Sequence, residues 1–149
     1  MTVLGCANMK GEKRDLLVTG KSKKPRCFKG VRSLSVDYYS NANTWMTIVI
    51  FSDWLVKWDL ELKRKIVLLV DSCTAHTNNS LLKNIKVIFL PAHTTSLIQP
   101  CDLGITRAFK AHYRREIRAG IVAELDDIQD QSEAGAVAKK FPFLIHCVW

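Results

Sequence analysis

The sequence contains no apolar run that reaches the ~18 residues of a membrane-spanning helix. The residues after Met1 also lack the basic and apolar regions of a secretory signal peptide. No internal repeat, low-complexity tract or glycine/serine linker interrupts the 149 residues. We therefore expect one soluble intracellular domain over residues 1–149, with no membrane partner.

The cysteine pattern excludes two common uses. The five cysteines form an odd set without a CxxC pair, which argues against a disulfide framework and a standard zinc knuckle. Cys73 and His76 have the spacing of zinc ligands, but His93 and Cys101 have seven residues between them in a proline-bounded loop. We therefore expect reduced thiols and do not favour a zinc site.

Basic residues are in clear excess. Twenty-two Lys and Arg against fourteen Asp and Glu leave a net charge of +8, which favours a polyanionic partner. Two clusters are candidates for phosphate contact: Lys21, Lys23, Lys24, Arg26 and Lys29, and, in a predicted helix, Arg107, Lys110, Arg114, Arg115 and Arg118. Such residues add salt-dependent affinity without reading bases. The alternative is a solvated face that only aids solubility.

Hydrophobic periodicity predicts a first half built from a hairpin and a helix. Residues 3–7 and 16–18 form strands across a turn at 8–11. An amphipathic helix begins near or within the β-branched run 47–50 and ends near residue 62. Aromatic side chains in this helical region favour core packing over base stacking. They are Trp45, Trp54 and Trp58.

The second half alternates strands and helices, which is typical of the α/β class. The apolar runs 66–70 and 85–90, the second interrupted only by Lys86, predict parallel strands covered on both faces. A short crossover helix is expected around residues 81–82, and one long helix from 104 to about 130. The apolar stretch 141–149 begins another packed element.

Two acids stand where an α/β sheet presents functional groups. Asp71 ends the first apolar run, and Asp102 lies in a loop just before a helix. Carboxylates so placed suit Mg²⁺ or Mn²⁺, and a pair can hold two ions. On spacing alone, a turn or capping role is the more common one for such aspartates. His76 is expected to hydrogen-bond beside Asp71.

Two blocks of sequence carry a family resemblance. The first is Asp71-Ser72-Cys73-Thr74-Ala75-His76, and the second runs from Phe89-Leu90-Pro91 through Thr94-Thr95-Ser96 to Gln99-Pro100-Cys101-Asp102-Leu103-Gly104. With residues 6–9, 20–28, 45–47 and 110–115, they resemble the DDE superfamily endonuclease domain of pogo/Tigger-type transposases. Thirty residues separate Asp71 from Asp102, as in the Tigger pattern. The resemblance implies an RNase H-like fold, with a mixed sheet flanked by helices, and a nuclear location.

The resemblance also implies a nuclease with three acids and Mg²⁺ or Mn²⁺, and the family's first acid lies upstream of residue 1. Asp15 is the nearest substitute, but it stands beside basic Arg14 before the second strand, which is typical of a solvated turn acid. The blocks depart from the family pattern at Thr74, Ala92, His93 and Leu103. Because one acid is absent, we expect the chain by itself not to cut DNA.

Without the family's upstream helix-turn-helix region, DNA binding is expected to be nonspecific and to use the phosphate backbone. One alternative is a Mg²⁺-dependent endonuclease whose missing acid comes from a longer product, and another is a domesticated protein-interaction scaffold. An apolar strand directly after Met1 and an apolar chain end suggest a partial domain. Lacking its first strand, such a domain would expose a sheet edge and be of low stability.

Overall fold

The computed structural model describes residues 1–76, 81–99, 101–126 and 146–147, without the side chains of residues 95, 96, 102, 146 and 147. The strands are β1 (Thr2–Leu4), β2 (Leu17–Gly20), β3 (Asp37–Ser40), β4 (Ile66–Val70), β5 (Ile85–Phe89) and β6 (His146–Cys147). The helices are α1 (Ile48–Glu61), α2 (Thr95–Ile98) and α3 (Thr106–Asp126). This mixture confirms the α/β class. None of the described helices is long and apolar enough to cross a membrane.

The described strands form two sheets, whereas one mixed sheet was expected. The first has the order β3-β2-β1-β6, in which β1 and β2 are antiparallel and the two outer pairings are parallel. The second is the parallel pair β4-β5, with Leu68 opposite Val87. The hairpin and the parallel pair are therefore confirmed, but no described strand joins them.

The turn between β1 and β2 is organised by one side chain. Asn8 Oδ1 accepts the backbone N–H groups of Lys10, at 3.0 Å, and Glu12, at 2.9 Å. Gly11 has φ +83°, a left-handed conformation that glycine adopts without a steric penalty. The expected turn at 8–11 is thus present. Strand β1 is shorter than predicted, and after its last residue the pairing described is an isolated bridge between Ala7 and Lys13.

Helix α1 begins within the β-branched run because Thr47 caps it. The Thr47 side chain accepts the N–H of Ile50 at 3.3 Å, so helix formation overrides the local strand preference of residues 48–50. Trp54 is buried and Trp58 packs against the core, as predicted. Trp45 is largely exposed, and its predicted core role was wrong.

One hydrophobic core connects both sheets through the buried face of α1. Phe51 and Leu55 on the helix are fully buried between residues of β1-β2 and residues of β4-β5. The cluster consists of Leu4, Leu17, Met46, Ile50, Phe51, Trp54, Leu55, Leu68, Val70, Ile85 and Val87. Helix α1 therefore determines where the carboxyl end of β4 lies relative to the hairpin.

Within the described part of the chain, strand β4 is covered on one face only, contrary to the prediction. Leu68 and Val70 are buried, while Val67 and Leu69 are 56% and 55% exposed. Alternating exposure of this kind is typical of a strand with helices on one side. In the described structure, no residue of helix α3 is buried in the core, so α3 does not cover the second face of β4.

Three other expected segments differ from the structure. Leu81 to Asn84 contain turns and bends in place of the predicted crossover helix, while residues 77–80 lie outside the described part. The long helix starts at Thr106, after a π-helical turn at Cys101–Ile105. Residues 127–130, which were predicted to belong to it, lie outside the described part of the chain. Of the predicted element 141–149, only β6 is described.

The start of β5 is held by a buried carboxylate on α1. Asp59 accepts the backbone N–H groups of Lys83, Asn84 and Ile85 at 3.0, 2.7 and 2.8 Å. The Asn84 side chain in turn donates to the carbonyls of Asp59 and Leu62. Burial raises the pKa of Asp59, but the three donors outweigh burial and hold it below its usual range.

Candidate active site and nucleic-acid interface

Asp71 follows the last residue of β4, at the carboxyl end of the parallel pair. The pairing continues one step further, because the N–H of Leu90 donates to the carbonyl of Val70 at 2.8 Å. Both strands thus end together at this edge. In open α/β sheets such an edge is where functional side chains are presented.

His76 turns back onto Asp71 and contacts its carboxylate. His76 Nδ1 lies 2.5 Å from Asp71 Oδ1, and the backbone N–H of His76 donates to the Cys73 carbonyl at 2.9 Å. The imidazole side chain is 1% exposed and packs against Phe51, with ring centroids 4.4 Å apart. Because Nδ1 faces a carboxylate, we assign the proton to Nδ1.

The backbone of Asp102 lies in the π-helical turn Cys101–Ile105, immediately before α3. The turn is closed on its amino side by a hydrogen bond from the Leu103 N–H to the Gln99 carbonyl, at 3.1 Å. The Asp102 side chain lies outside the described part of the chain, so its convergence with Asp71 stays a prediction. Among the described side chains, no group of three or more His, Cys, Asp or Glu could hold a metal ion.

Gln99 belongs to the second family block, but the sequence analysis assigned it no role, and in the structure it is a buried polar residue. It is only 7% exposed, and its Oε1 atom has no hydrogen-bond partner in the described structure. His76 Nε2, on the same cavity, is also buried without a partner among the described residues. A loop glutamine is normally solvated, so only its place three residues before Asp102 could have drawn attention to it.

A cavity of about 820 Å³ adjoins this end of β4. Its walls include residues 4–9 from the hairpin, Ile66–Val70, the aromatic side chains of α1, Gln99 and Cys101. At its rim, Arg14 pairs with Glu61 at 2.6 Å, and Arg64 pairs with Glu12 at 3.1 Å.

Cys6, which lines the cavity, is a reduced thiol, as expected. The pKa of the Cys6 thiol is raised to about 11, mainly by burial and also by Cys101, while Arg14 opposes the shift. Cys27 and Cys73 are also free. Cys6 is therefore protonated at neutral pH and a weak nucleophile.

The first basic cluster lies on the exposed loop after β2. Its side chains surround a depression of about 400 Å³ that is lined by Lys23, Lys24, Pro25, Arg26, Phe28 and Lys29. Tyr38 supports this loop in two ways. Its ring meets Phe28 edge-to-face at 4.8 Å between centroids, and its hydroxyl donates to the Ser22 carbonyl at 2.7 Å. Lys21 is exposed at the start of the same loop.

The second basic cluster follows one face of α3. Arg107, Lys110, Arg114 and Arg118 are spaced three, four and four residues apart, which places them in one stripe along the helix. Arg115 lies beside the stripe and pairs with Glu116 at 3.0 Å. Another face carries Phe109 and Tyr113, whose rings stack at 6.5 Å. No hydrogen bond or ion pair between described residues joins this basic stripe to the loop after β2.

The whole chain matches a known family. The family model described as DDE superfamily endonuclease matches residues 1–149. The chain belongs to this family. This match and the relatives below confirm the predicted resemblance to pogo/Tigger-type DDE domains.

Curated relatives of this DDE-family chain are identical to it at about a third or more of the positions in the matched region. Mouse Tigger transposable element-derived protein 4 is 42% identical over 111 residues, which cover 72% of the chain and 22% of that protein. Human Jerky protein homolog is 39% identical over 128 residues, which cover 76% of the chain and 23% of that protein. Fission yeast CENP-B homolog protein 2 is 35% identical over 130 residues, which cover 77% of the chain and 25% of that protein. The chain thus spans about a quarter of these relatives, and no solved structure matches it.

Proposed function

We propose that this DDE-family chain is a transposase-derived, RNase H-like domain that binds DNA through phosphate contacts, without sequence preference, in the nucleus. The basic stripe of α3, in which Arg107, Arg114 and Arg118 are exposed and Lys110 is half-buried, is the observation that carries the proposal. The fold supports the finer class, because α1 covers one face of a parallel strand pair and Asp71 ends the first of these strands. The name of the mouse relative, a transposable element-derived protein, agrees with a nucleic-acid partner.

The geometry of the stripe suits a phosphate backbone. From Arg107 to Arg118 the helix rises about 16 Å, over which four cations face one direction. The loop after β2 adds four more around its depression. Lys and Arg of this kind release counterions from DNA on binding and give affinity that falls steeply with salt. They do not distinguish sequences, since sequence is read from base edges.

We further propose that Asp71 and Asp102 are the remaining metal ligands of the family's three-acid site. Asp71 fits this role in part, because His76 engages one carboxylate oxygen and leaves the second for a hard cation. When bound, Mg²⁺ or Mn²⁺ would activate water and stabilise a leaving phosphate oxygen. His76 acts as a positioning residue that fixes the orientation of the Asp71 carboxylate. With the first acid absent from these residues, the proposal is that the chain alone does not cleave DNA.

A Mg²⁺-dependent endonuclease, with the first acid supplied by a longer product, is the second candidate. The ordered Asp71–His76 contact favours it, because a buried histidine held against a carboxylate preserves the geometry that a metal ligand needs. Both candidate functions use the same DNA-binding surfaces, and they differ in whether the protein cleaves DNA.

DNA binding is tested with fluorescent 30-base-pair duplexes of three unrelated sequences over a series of salt concentrations. We expect the three affinities to agree within about threefold, with log K falling linearly as log salt rises. The control is heat-denatured protein at the same concentration. Retention that does not depend on salt, or no retention at low salt, would contradict the proposal and favour a protein-interaction scaffold.

Cleavage is tested with supercoiled plasmid and Mg²⁺ or Mn²⁺. We expect no metal-dependent nicking by the 149-residue chain. Nicking that disappears in Asp71→Ala would refute the inactive assignment. Nicking that appears only with a longer product and is lost in its Asp71→Ala form would establish the second candidate.

A further inference from the structure

Trp45 exposes an aromatic ring shortly before α1. It is 57% exposed, whereas tryptophan in folded proteins buries most of its surface on average. Ile48 and Val49, in the first turn of α1, are 53% and 76% exposed. Three large apolar residues exposed within five positions form a patch of the kind that marks binding surfaces. Trp45 is its most specific member, because the π face of its ring can stack on another ring.

The backbone that carries Trp45 is held in a strained conformation. Thr44 has φ +59°, in the left-handed region, which is a genuine outlier for a β-branched residue. Its carbonyl accepts the Thr2 hydroxyl at 2.7 Å, and its N–H donates to the Asn41 carbonyl at 2.9 Å. The Asn41 side chain donates in turn to the Trp45 carbonyl at 3.1 Å. Strain that neighbouring groups enforce in this way is concentrated at functional sites.

The segment that leads to Trp45 and the first basic cluster leave the same edge of the first sheet. Strands β2 and β3 are parallel, and Gly20 at the end of β2 lies opposite Ser40 at the end of β3. The pairing continues one residue further, because the Asn41 N–H donates to the Gly20 carbonyl at 2.9 Å. Lys21 therefore starts its loop beside the turn that leads to Trp45. The cations of this loop and the exposed ring belong to one surface.

This surface is poor in acids. Between residues 21 and 47 the only acid is Asp37, which stands at the opposite end of β3. The first acid of α1, Asp53, accepts the Tyr39 hydroxyl at 2.6 Å and pairs with Lys57 at 3.2 Å, so its charge is already matched. Residues 21–47 include six cations: Lys21, Lys23, Lys24, Arg26, Lys29 and Arg32. Charge complementarity therefore requires an anionic partner.

An anion that also presents flat ring faces is a nucleic acid with unpaired bases. In a duplex the base faces are covered by stacking, and proteins reach only base edges and the backbone. In a single strand each base exposes its π face, and proteins bind such strands with aromatic side chains beside a positively charged groove. The depression of about 400 Å³ in the loop after β2, lined by four cations, Pro25 and Phe28, supplies that groove.

We propose that Trp45 and the loop after β2, residues 21–29, form a binding site for single-stranded DNA. Trp45 stacks on one base, and the cations of the loop contact the neighbouring phosphates. The inference rests on the proposed DNA binding and adds a second form of DNA to it. The α3 stripe contacts duplex phosphates, whereas this surface takes unpaired bases.

The position of the base is tested by photocrosslinking. The probe is a 20-nucleotide oligo(dT) that contains one 5-iodouracil, which couples on irradiation to an aromatic side chain stacked on it. The labelled residue is identified by peptide mass spectrometry. We expect the single strand to label Trp45, and the same strand annealed to oligo(dA) to label it at least about tenfold less, because pairing covers the base faces.

The stacking contact is tested with four variants. Trp45→Ala should weaken binding of the single strand at least about fivefold. Trp45→Phe keeps a π face and should retain most of the affinity, whereas Trp45→Leu keeps apolar surface alone and should bind as weakly as Trp45→Ala. Leu60→Ala, 79% exposed near the other end of α1, is the matched control. Duplex affinity should be the same in all four variants, and their melting temperatures show whether each is folded.

Three results would overturn the single-strand site. The first is equal labelling of Trp45 by the single strand and the duplex, and the second is unchanged single-strand affinity in Trp45→Ala. The third is equal affinity of Trp45→Leu and Trp45→Phe, which would indicate an apolar contact typical of a protein partner. Duplex binding with the expected salt dependence but without labelling of Trp45 would refute this site alone. Binding of neither form of DNA would refute the proposed function as well.

Discussion

Tyr38 lies directly over Gly20, so that a Cβ atom at residue 20 would overlap the Tyr38 hydroxyl and ring. Gly20 ends β2, and Tyr38 is on the neighbouring strand β3. The same tyrosine braces the basic loop through Phe28 and the Ser22 carbonyl. The absence of a side chain at residue 20 thus allows the loop that carries the first basic cluster to pack as it does.

Gly20→Ala should destabilise the fold by about 1–3 kcal/mol, because the methyl group overpacks against the Tyr38 ring. Urea denaturation measures the change. Gly104→Ala is the matched control, since nothing lies within 4 Å of a Cβ at that position. Equal stability of the two variants would show that Tyr38 moves away freely.

The buried carboxylate of Asp59 makes stability depend on pH. Its folded-state pKa is below the unfolded value of about 3.9, so its stabilising effect is complete above about pH 4 and is lost as pH falls through the folded-state pKa. Asp59→Asn should lower the melting temperature at pH 7 and reduce its fall at acid pH. Thermal scans between pH 2 and 7 give both quantities.

Asp15→Asn serves as the control for that series, because Asp15 is exposed beside the hairpin. It should leave the melting temperature at pH 7 nearly unchanged. If Asp59→Asn kept the full acid dependence of the unmodified chain, another carboxylate would be responsible.

Two arginine ion pairs should differ in their contribution to stability. Arg14 pairs with Glu61 and lies over the Trp58 ring, 5.5 Å from its centroid, with its side chain mostly buried. Arg115 pairs with Glu116 on an exposed helix surface. We expect Arg14→Ala to lower the free energy of unfolding by about 1–2 kcal/mol and Arg115→Ala by less than about 0.5 kcal/mol. Equal losses in denaturant titrations would contradict this ranking.

Thiol reactivity should follow exposure and pKa. Cys27 is exposed, whereas the pKa of Cys6 is raised to about 11 by burial and by Cys101. At pH 8 iodoacetamide should alkylate Cys27 at least about tenfold faster than Cys6, because the thiolate is the reactive form. Peptide mass spectrometry over time measures both rates. Rapid labelling of Cys6 in the native chain would show that the cavity opens readily.

The α3 stripe should determine much of the salt dependence of DNA binding. Replacing Arg107, Arg114 and Arg118 by Gln should reduce the slope of log K against log salt by about 0.9 for each phosphate that is no longer neutralised. The reduction should be the same for different DNA sequences. Arg115→Gln is the control outside the stripe. An unchanged slope in the triple variant would locate the DNA-binding surface elsewhere, with the loop after β2 as the first candidate.

Local sequence signals were sufficient where neighbours along the chain decide the structure. The Asn8–Gly11 turn, the apolar runs of β4 and β5, and the amphipathic pattern of α1 could all be predicted from the sequence. Strand β3 was not foreseen, and its pairing depends on Tyr38 meeting Gly20 from a distant part of the chain. The start of α1 was also ambiguous until the Thr47 cap and core burial resolved it.

The sequence by itself determined the family, the charge excess and the position of Asp71 at a strand end, because each rests on residue identity and short-range periodicity. The expectation that His76 lies beside Asp71 also came from the sequence. Only the tertiary structure decided that Gln99 is buried and that β1 and β4 border one groove. These relationships join residues that sequence spacing does not connect, and burial against the α1 core selects them. Side-chain partners of this kind depend on three-dimensional packing, which no local pattern encodes.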